Sequence, residues 1–241
     1  MIVRNLLKSF CPPVVWTSLS RLHKAIFKRS TNTSKDIKTV NVVIDNPKEQ
    51  DLDLYWTPEM ANILDEWGDD NVWNEIQLLL CTCKGKILDI ACGTGKTIKL
   101  IEKFPNLDIY GCDISDLFIE KSIEKGISKD KLVVCDATNT GYMDDEFEYS
   151  YSIGSLEHFT LEGIDAFIKD SARITSQVSF HMIPTSLSKT DEGWLKTVQS
   201  YFNNSDDWWL QKFEKHYHKV VMVNSKWNDN ISFGRWFICY K

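Results

Sequence analysis

The chain has 241 residues, 43% of them hydrophobic and 26% charged. That is the balance of a soluble globular α/β domain with a real core. No run of about 18 apolar residues occurs, which argues against a membrane-spanning helix. The net charge of −6 is divided unevenly: residues 1–40 carry eight Lys/Arg against one acid, Asp36, and the remainder carries twenty against thirty-three. The acidic body argues against a broad nucleic-acid surface, so no nucleic-acid partner is expected.

Residues 1–40 read as a basic leader and linker, and 41–241 as one folded domain. After Pro12 and Pro13, the apolar residues Val15, Leu19, Leu22 and Ile26 recur at helical spacing, among Arg21, Lys24, Lys28 and Arg29. The apolar run is too short and too charged for a secretory signal. A basic amphipathic helix can lie on an anionic membrane surface, which would put residues 1–30 on the inner face of the membrane. Packing on its own domain or on a partner is the equal alternative. Ser30 to Thr39 is a polar linker.

From Leu52 to Leu80 the pattern is helical, with Gly68 dividing two helices and Asp69 or Asp70 capping the second. Strands and helices then alternate. Strands are predicted at 86–90, 107–112, 131–135, 149–153 and 177–182, with helices at 96–104, 117–125 and 164–172. This alternation implies a parallel sheet covered on both faces. A helix in "DDWWLQKFEKHY" follows, then the strands "KVVMVNSKW" and "SFGRWFICY", joined closely enough to pair antiparallel. Seven cysteines, an odd number lying mostly in strand-like runs, suit reduced thiols in a cytoplasmic protein. Cys81-Thr-Cys83 has no second pair at zinc spacing, so no metal is expected.

The stretch "ILDIACGTGKT", Ile87 to Thr97, raises the question of its ligand. A phosphate loop would need glycine where Ile90 stands. Asp89, at the strand tip, would repel a triphosphate and suits a cationic ligand or a donor of N–H and O–H groups. Gly93-Thr94-Gly95 lacks the third glycine of a dinucleotide loop, so the glycine pair alone marks a tight turn open to a ligand. Asp113 ends the second strand, placed to accept ribose hydroxyl protons. Asp136, ending the third in "VVCDA", can accept from an adenine amino group. Three acids at successive strand ends converge on one crevice. Lys96 and Thr97 read as helix residues near solvent.

With these residues in place, the sequence resembles the class I S-adenosylmethionine-dependent methyltransferases. "ILDIACGTG" is similar to their first motif, "YGCDIS" to their acidic second-strand end, "VVCDAT" to their adenine motif and "FEYSYSIGSLEHF" to their fourth-strand motif. The resemblance covers roughly residues 52 to 241. It implies a Rossmann-like fold: a mostly parallel seven-stranded sheet with an antiparallel C-terminal strand and an N-terminal helical extension. It implies S-adenosylmethionine as cofactor and S-adenosylhomocysteine as product. Asp89, Ala91, Gly93 and Gly95 would hold the methionine portion, Asp113 the ribose and Asp136 the adenine, with Cys92, Ile114 and Ala137 also binding the cofactor. Ser152, Tyr55 and Trp56 would complete the cofactor site. Ala91 stands where the family has its first glycine, and Glu148 where it has an aspartate.

Methyl transfer from a sulfonium is an in-line displacement that mainly needs alignment, and an alcohol nucleophile gains from a general base. His158 is the first candidate base, with cofactor lining as its alternative; His181 is the second, and Glu157 could orient either. The insert of about 183–216 mixes flat rings with amides and hydroxyls: Trp194, Gln199, Tyr201, Asn203, Asn204, Trp208 and Trp209. Such a mixture suits a sugar, though a core-packing lid helix capped by Asn204 or Ser205 would look the same. The leader, domain and insert together resemble methyltransferases of bacterial surface-polysaccharide biosynthesis. The expected activity is O-methylation of a sugar or lipid-linked glycan. A quinone, a lipid or another small molecule is the alternative acceptor, and a non-catalytic cofactor-binding or membrane-docked scaffold is the alternative of another class.

Overall fold

The computed structural model describes residues 43–44, 46–66 and 72–241, all within the compact unit Asn41–Lys241. The basic leader, Gly68 and the Asp69/Asp70 cap lie outside the described residues. No described helix is long and apolar enough to cross a membrane.

In chain order the elements are β1 (Val43–Ile44), a 3-10 turn at Asp53–Trp56, α1 (Pro58–Glu66), α2 (Val72–Leu80), β2 (Gly85–Ile90), α3 (Lys96–Ile101), β3 (Leu107–Asp113), α4 (Asp116–Glu124), β4 (Leu132–Val134), β5 (Phe147–Ile153), α5 (Leu161–Ile174), β6 (Thr175–Ser186), β7 (Trp194–Leu195), β8 (Tyr201–Phe202), α6 (Asp206–Phe213), β9 (Lys219–Asn228) and β10 (Ser232–Tyr240). Each predicted strand and helix of the main sheet is present, with ends displaced by up to four residues. Capping fixes several helix starts. The side chains of Ser115, Thr160 and Ser205 accept from the backbone N–H three residues on, at Phe118, Gly163 and Trp208.

The main sheet has the order β4-β3-β2-β5-β6-β10-β9. β2 to β6 run parallel, and β10 runs antiparallel to both its neighbours. The order reverses at β2, which has β3 on one side and β5 on the other. That switch point opens a crevice at the carboxyl ends of the strands. A second, three-stranded sheet, β1-β7-β8, was not expected from the sequence.

Alternation along β2 divides the core. Ile87 faces α2 and α3 with Ile76, Leu80, Ile98 and Ile101, while Leu88 and Ile90 face α5 and α6 with Phe167, Ile168, Trp209 and Phe213. All eleven of these side chains are buried to within 2%. Burying a side chain of this size contributes about 1.5–3 kcal/mol each before conformational entropy is subtracted. On the α5 side the strands also carry small hydroxyls. Ser150, Ser179, Ser171, Thr175 and Tyr217 form a hydrogen-bonded cluster under α5, which Ser171 extends to His181 Nε2.

Candidate active site

The turn after β2 is built from left-handed backbone. Ala91, Gly93 and Gly95 have φ of 58°, 54° and 71°. Two are glycines, for which this conformation is free; Ala91 bears a cost of about 1–2 kcal/mol. The two glycines do different jobs. Gly93 lines a cleft, and its N–H donates to Asp113 Oδ2 at 2.8 Å. Gly95 is a packing position: a Cβ there would stand 2.3 Å from Ile127 Cδ1 and 2.8 Å from Ser122 Oγ. It does not line the cleft, so its expected ligand role is corrected to close approach between the turn and α4.

The cleft has a volume of about 330 Å³, within the range of small-molecule sites. Its walls include Asp89, Ala91, Cys92, Gly93, Asp113, Ile114, Asp136, Ala137, Glu157, His158, Tyr55, Gln199 and Tyr201, so residues from six separate segments converge. Asp113 is fixed from two sides, since Ser115 N–H donates to its other oxygen at 2.9 Å. Burial pushes its carboxyl up to about 6, against the backbone hydrogen bonds that lower it. Asp89 is 2% exposed and accepts from the Thr97 hydroxyl at 2.8 Å. Burial raises it to about 7. A cationic group beside Asp89 would restore its charge. Thr97 is therefore buried and tied to the site, not at the solvent surface as expected. Asp136 is exposed, and its Oδ1 accepts from the Thr138 N–H and hydroxyl, both at 2.8 Å.

Beyond β5, Glu157 and His158 share a short 3-10 turn at Leu156–His158. Glu157 is 3% exposed, and its Oε2 has no hydrogen-bond partner among the described residues. Burial pushes this carboxyl up to about 8. His158 Nδ1–H donates to the Ser200 carbonyl at 2.8 Å, which leaves the lone pair on Nε2, 3.7 Å from Glu157 Oε1. Burial lowers the imidazole to about 4, so it stands neutral.

Several expected site residues lie elsewhere. His181 is fully buried in the middle of β6, with Nδ1 2.8 Å from Ser152 Oγ and its ring stacked on Phe213 at 5.2 Å. The pleat explains this. Ile153 and Met182 line the cleft, so Ser152 and His181, one residue earlier, face the opposite side of the sheet. Neither is a cleft residue. Trp56 points outward, donating to Asp116 Oδ1 at 2.9 Å, while its neighbour Tyr55 lines the cleft.

Of the insert residues singled out, only Gln199 and Tyr201 line the cleft; Gln199 Nε2–H donates to Tyr55 Oη at 3.1 Å. Trp194 packs on Phe202, and Trp208 on Phe202 and Trp209. Asn204 accepts from Gly193 N–H, and Asn203 donates to Glu192 and the Ile231 carbonyl. These four hold the small sheet together. Ser205, not Asn204, caps α6. The cleft also takes in Trp227 and Asp229, from the β9–β10 hairpin, which the sequence did not single out. No cluster of His, Cys, Asp and Glu among the described residues could hold a metal ion.

The donor set fits a ligand with a cation near Asp89, hydroxyls near Asp113 and a ring near Asp136 and Ala137. Residues 87–177 match the family described as a methyltransferase domain. The demethylmenaquinone methyltransferase of Thermotoga maritima is 32% identical over 93 residues, 37% of this chain and 40% of that protein. The probable tRNA methyltransferase 9B of Mus musculus is 35% identical over 89 residues, 36% of this chain and 19% of that protein. The chain thus spans less than half the length of these curated relatives. The tRNA enzyme stands against the expectation that nucleic acid is no partner.

Among solved structures, a Pyrococcus horikoshii OT3 protein superposes with a TM-score of 0.56 at 20% identity, over 78% of this chain and 93% of that one. The 1,6-didemethyltoxoflavin-N1-methyltransferase of Burkholderia thailandensis, with S-adenosylhomocysteine bound, gives 0.56 at 11% identity, over 96% and 91%. Residues 87–177 thus resemble a methyltransferase domain, and the chain has the Rossmann-like fold seen in these solved structures.

Proposed function

We propose that the whole chain transfers a methyl group from S-adenosylmethionine to a hydroxyl or other heteroatom of a polar acceptor. The cofactor supplies an activated methyl group on a sulfonium. Asp89, on the wall formed by the strand tip and glycine turn, offers a carboxylate to the cofactor's cationic methionine end. Asp113 accepts from the ribose hydroxyls, with its carboxylate already oriented by two backbone N–H groups. Asp136 and the Ala137 backbone border the adenine.

The observation that carries a catalytic reading is the Glu157–His158 pair. Nδ1 of His158 is committed to a carbonyl, so Nε2 presents a lone pair within the cleft. As the new bond to the methyl carbon forms, the acceptor's proton passes to that nitrogen. Glu157 Oε1 lies 3.7 Å from that nitrogen.

A sugar or glycan acceptor now rests on Gln199 and Tyr201, because the remaining aromatic and amide residues of the insert are structural. The likeness to surface-polysaccharide enzymes is carried by the texture of the insert and leader only. The test is calorimetry with S-adenosylhomocysteine, followed by incubation of a metabolite extract with methyl-labelled cofactor and mass identification of the product. Absence of binding, with Asp113→Ala behaving as wild type, would sink the cofactor assignment. Binding without any labelled product would favour a scaffold. Membrane contact by residues 1–30 is a separate proposal: their deletion should abolish binding to anionic vesicles and spare cofactor binding.

A further inference from the structure

The acceptor side of the cleft contains more carboxylate than the cofactor requires. Asp89, Asp113 and Asp136 lie on the cofactor side. Glu157 and Asp229 also line the cleft, and both act, with Glu192, on the Tyr201 phenol, which burial chiefly and these charges further push up to about 12. One oxygen of Asp229 is committed to the N–H groups of Ile231 and Ser232. Asp229 is itself exposed, at the hairpin, and lines the cleft. Glu157 Oε2 is buried, without a hydrogen-bond partner among the described residues, and lies on the same wall set.

Among the described residues, one basic side chain other than histidine lines this cleft. It is Lys96, which donates to the Asp65 carbonyl and lies 5.2 Å from the centroid of the Trp73 ring, in the α1–α2 region. No other described Lys or Arg lines the cleft. Rings lining the cleft include Tyr201, Tyr55, Phe159 and Trp227. Carboxylates with aromatic faces are the surroundings that hold an ammonium group, by charge and by cation–π attraction. A phosphate or carboxylate in the same place would meet repulsion and no donor cation.

We infer that the acceptor carries a basic amine, and that Glu157, with Asp229, is the specificity-determining carboxylate that holds its ammonium group. This rests on the methyltransferase reading and names the substrate class of that same site. It concerns the acceptor's charge and not which atom is methylated. An ammonium beside Glu157 would hold the carboxyl ionised, against the burial that otherwise keeps it protonated. By the same reasoning, small phosphorylated acceptors are disfavoured.

The experiment separates an extract of small molecules into cation-exchange-retained, anion-exchange-retained and unretained fractions. Each is incubated with the full chain and methyl-labelled S-adenosylmethionine. Labelled product is expected from the cation-exchange-retained fraction. With that fraction, Glu157→Gln should raise the acceptor KM at least tenfold and Asp229→Asn about threefold, with S-adenosylhomocysteine affinity within twofold of wild type in both. That retained affinity shows that the variants are folded. Label appearing only in the unretained or anion-exchange-retained fraction overturns the amine inference and leaves the methyltransferase reading intact. An unchanged acceptor KM in Glu157→Gln also overturns it. No labelled product from any fraction overturns both.

Discussion

Asp113 holds two backbone N–H groups and faces the cleft with its remaining lone pairs. Replacing it with alanine orphans both donors and removes the ribose partner. Charge-assisted hydrogen bonds are worth about 1.5–3 kcal/mol, so S-adenosylhomocysteine affinity should fall roughly tenfold to a hundredfold, measured by calorimetry. Asp89 gives a pH signature. Its folded value of about 7 means that below pH 7 the empty site holds a proton, which a cationic ligand must displace. Affinity for S-adenosylmethionine should therefore be level above pH 7 and fall by up to tenfold per pH unit below it. Asp89→Asn should give a flat profile, and a slope that persists in that variant would remove Asp89 from the explanation. The sequence made Asp89, Asp113 and Asp136 legible because each follows directly from a strand end. It could not show that Thr97 turns inward, because a helix start gives no information about which face its first residues present.

The β5–β6 pair shows how a single step in register decides role. Ser152 and His181 lie opposite each other across parallel strands, on the face turned to α5 and α6. His181 looked catalytic because the predicted strand ended at Met182, which put the histidine near the crevice. The strand in fact continues to Ser186, leaving His181 mid-strand in the core. His181→Ala would open a cavity and orphan the Ser152 hydroxyl. It should cost about 2–4 kcal/mol in chemical denaturation while leaving turnover per folded molecule unchanged. A loss of turnover at retained fold would restore it to the chemistry. In the turn after β2, Gly95→Ala combines a left-handed φ with a Cβ overlapping Ile127 and Ser122. It should cost about 3 kcal/mol or more. The insert misled for a similar reason. Its tryptophans and asparagines close the small β1-β7-β8 sheet, a long-range pairing with Val43–Ile44 that no local pattern announces.

Across the whole molecule, buried titratable groups set a pH dependence of stability. Asp89, Asp113 and Glu157 have raised carboxyl values of about 7, 6 and 8. Their stabilising effect is greatest when protonated and is lost as pH rises from the unfolded range near 4 toward these values. His158 and His181 are lowered to about 4 and 3, so their burial costs stability as pH falls below 6.5. Below pH 6.5 the two groups oppose each other. Between 6.5 and 8 the carboxyls act alone. Ligand-free protein should lose roughly 2 kcal/mol over that interval in urea melts, and Glu157→Gln should remove most of the decline.

The sequence alone determined the layered α/β order, the seven strands of the main sheet and the acids at successive strand ends. Those features are written in local periodicity and in spacing along each strand and turn. Tertiary structure decided which residues share the cleft. It brought Tyr55 to Gln199, set Tyr201 beside His158 with ring centroids 6.2 Å apart, and carried Trp227 and Asp229 of the last hairpin onto the cleft wall. These contacts join segments up to about 170 residues apart. They depend on strand order, register and the packing of both sheets, none of which is set by any single stretch of chain.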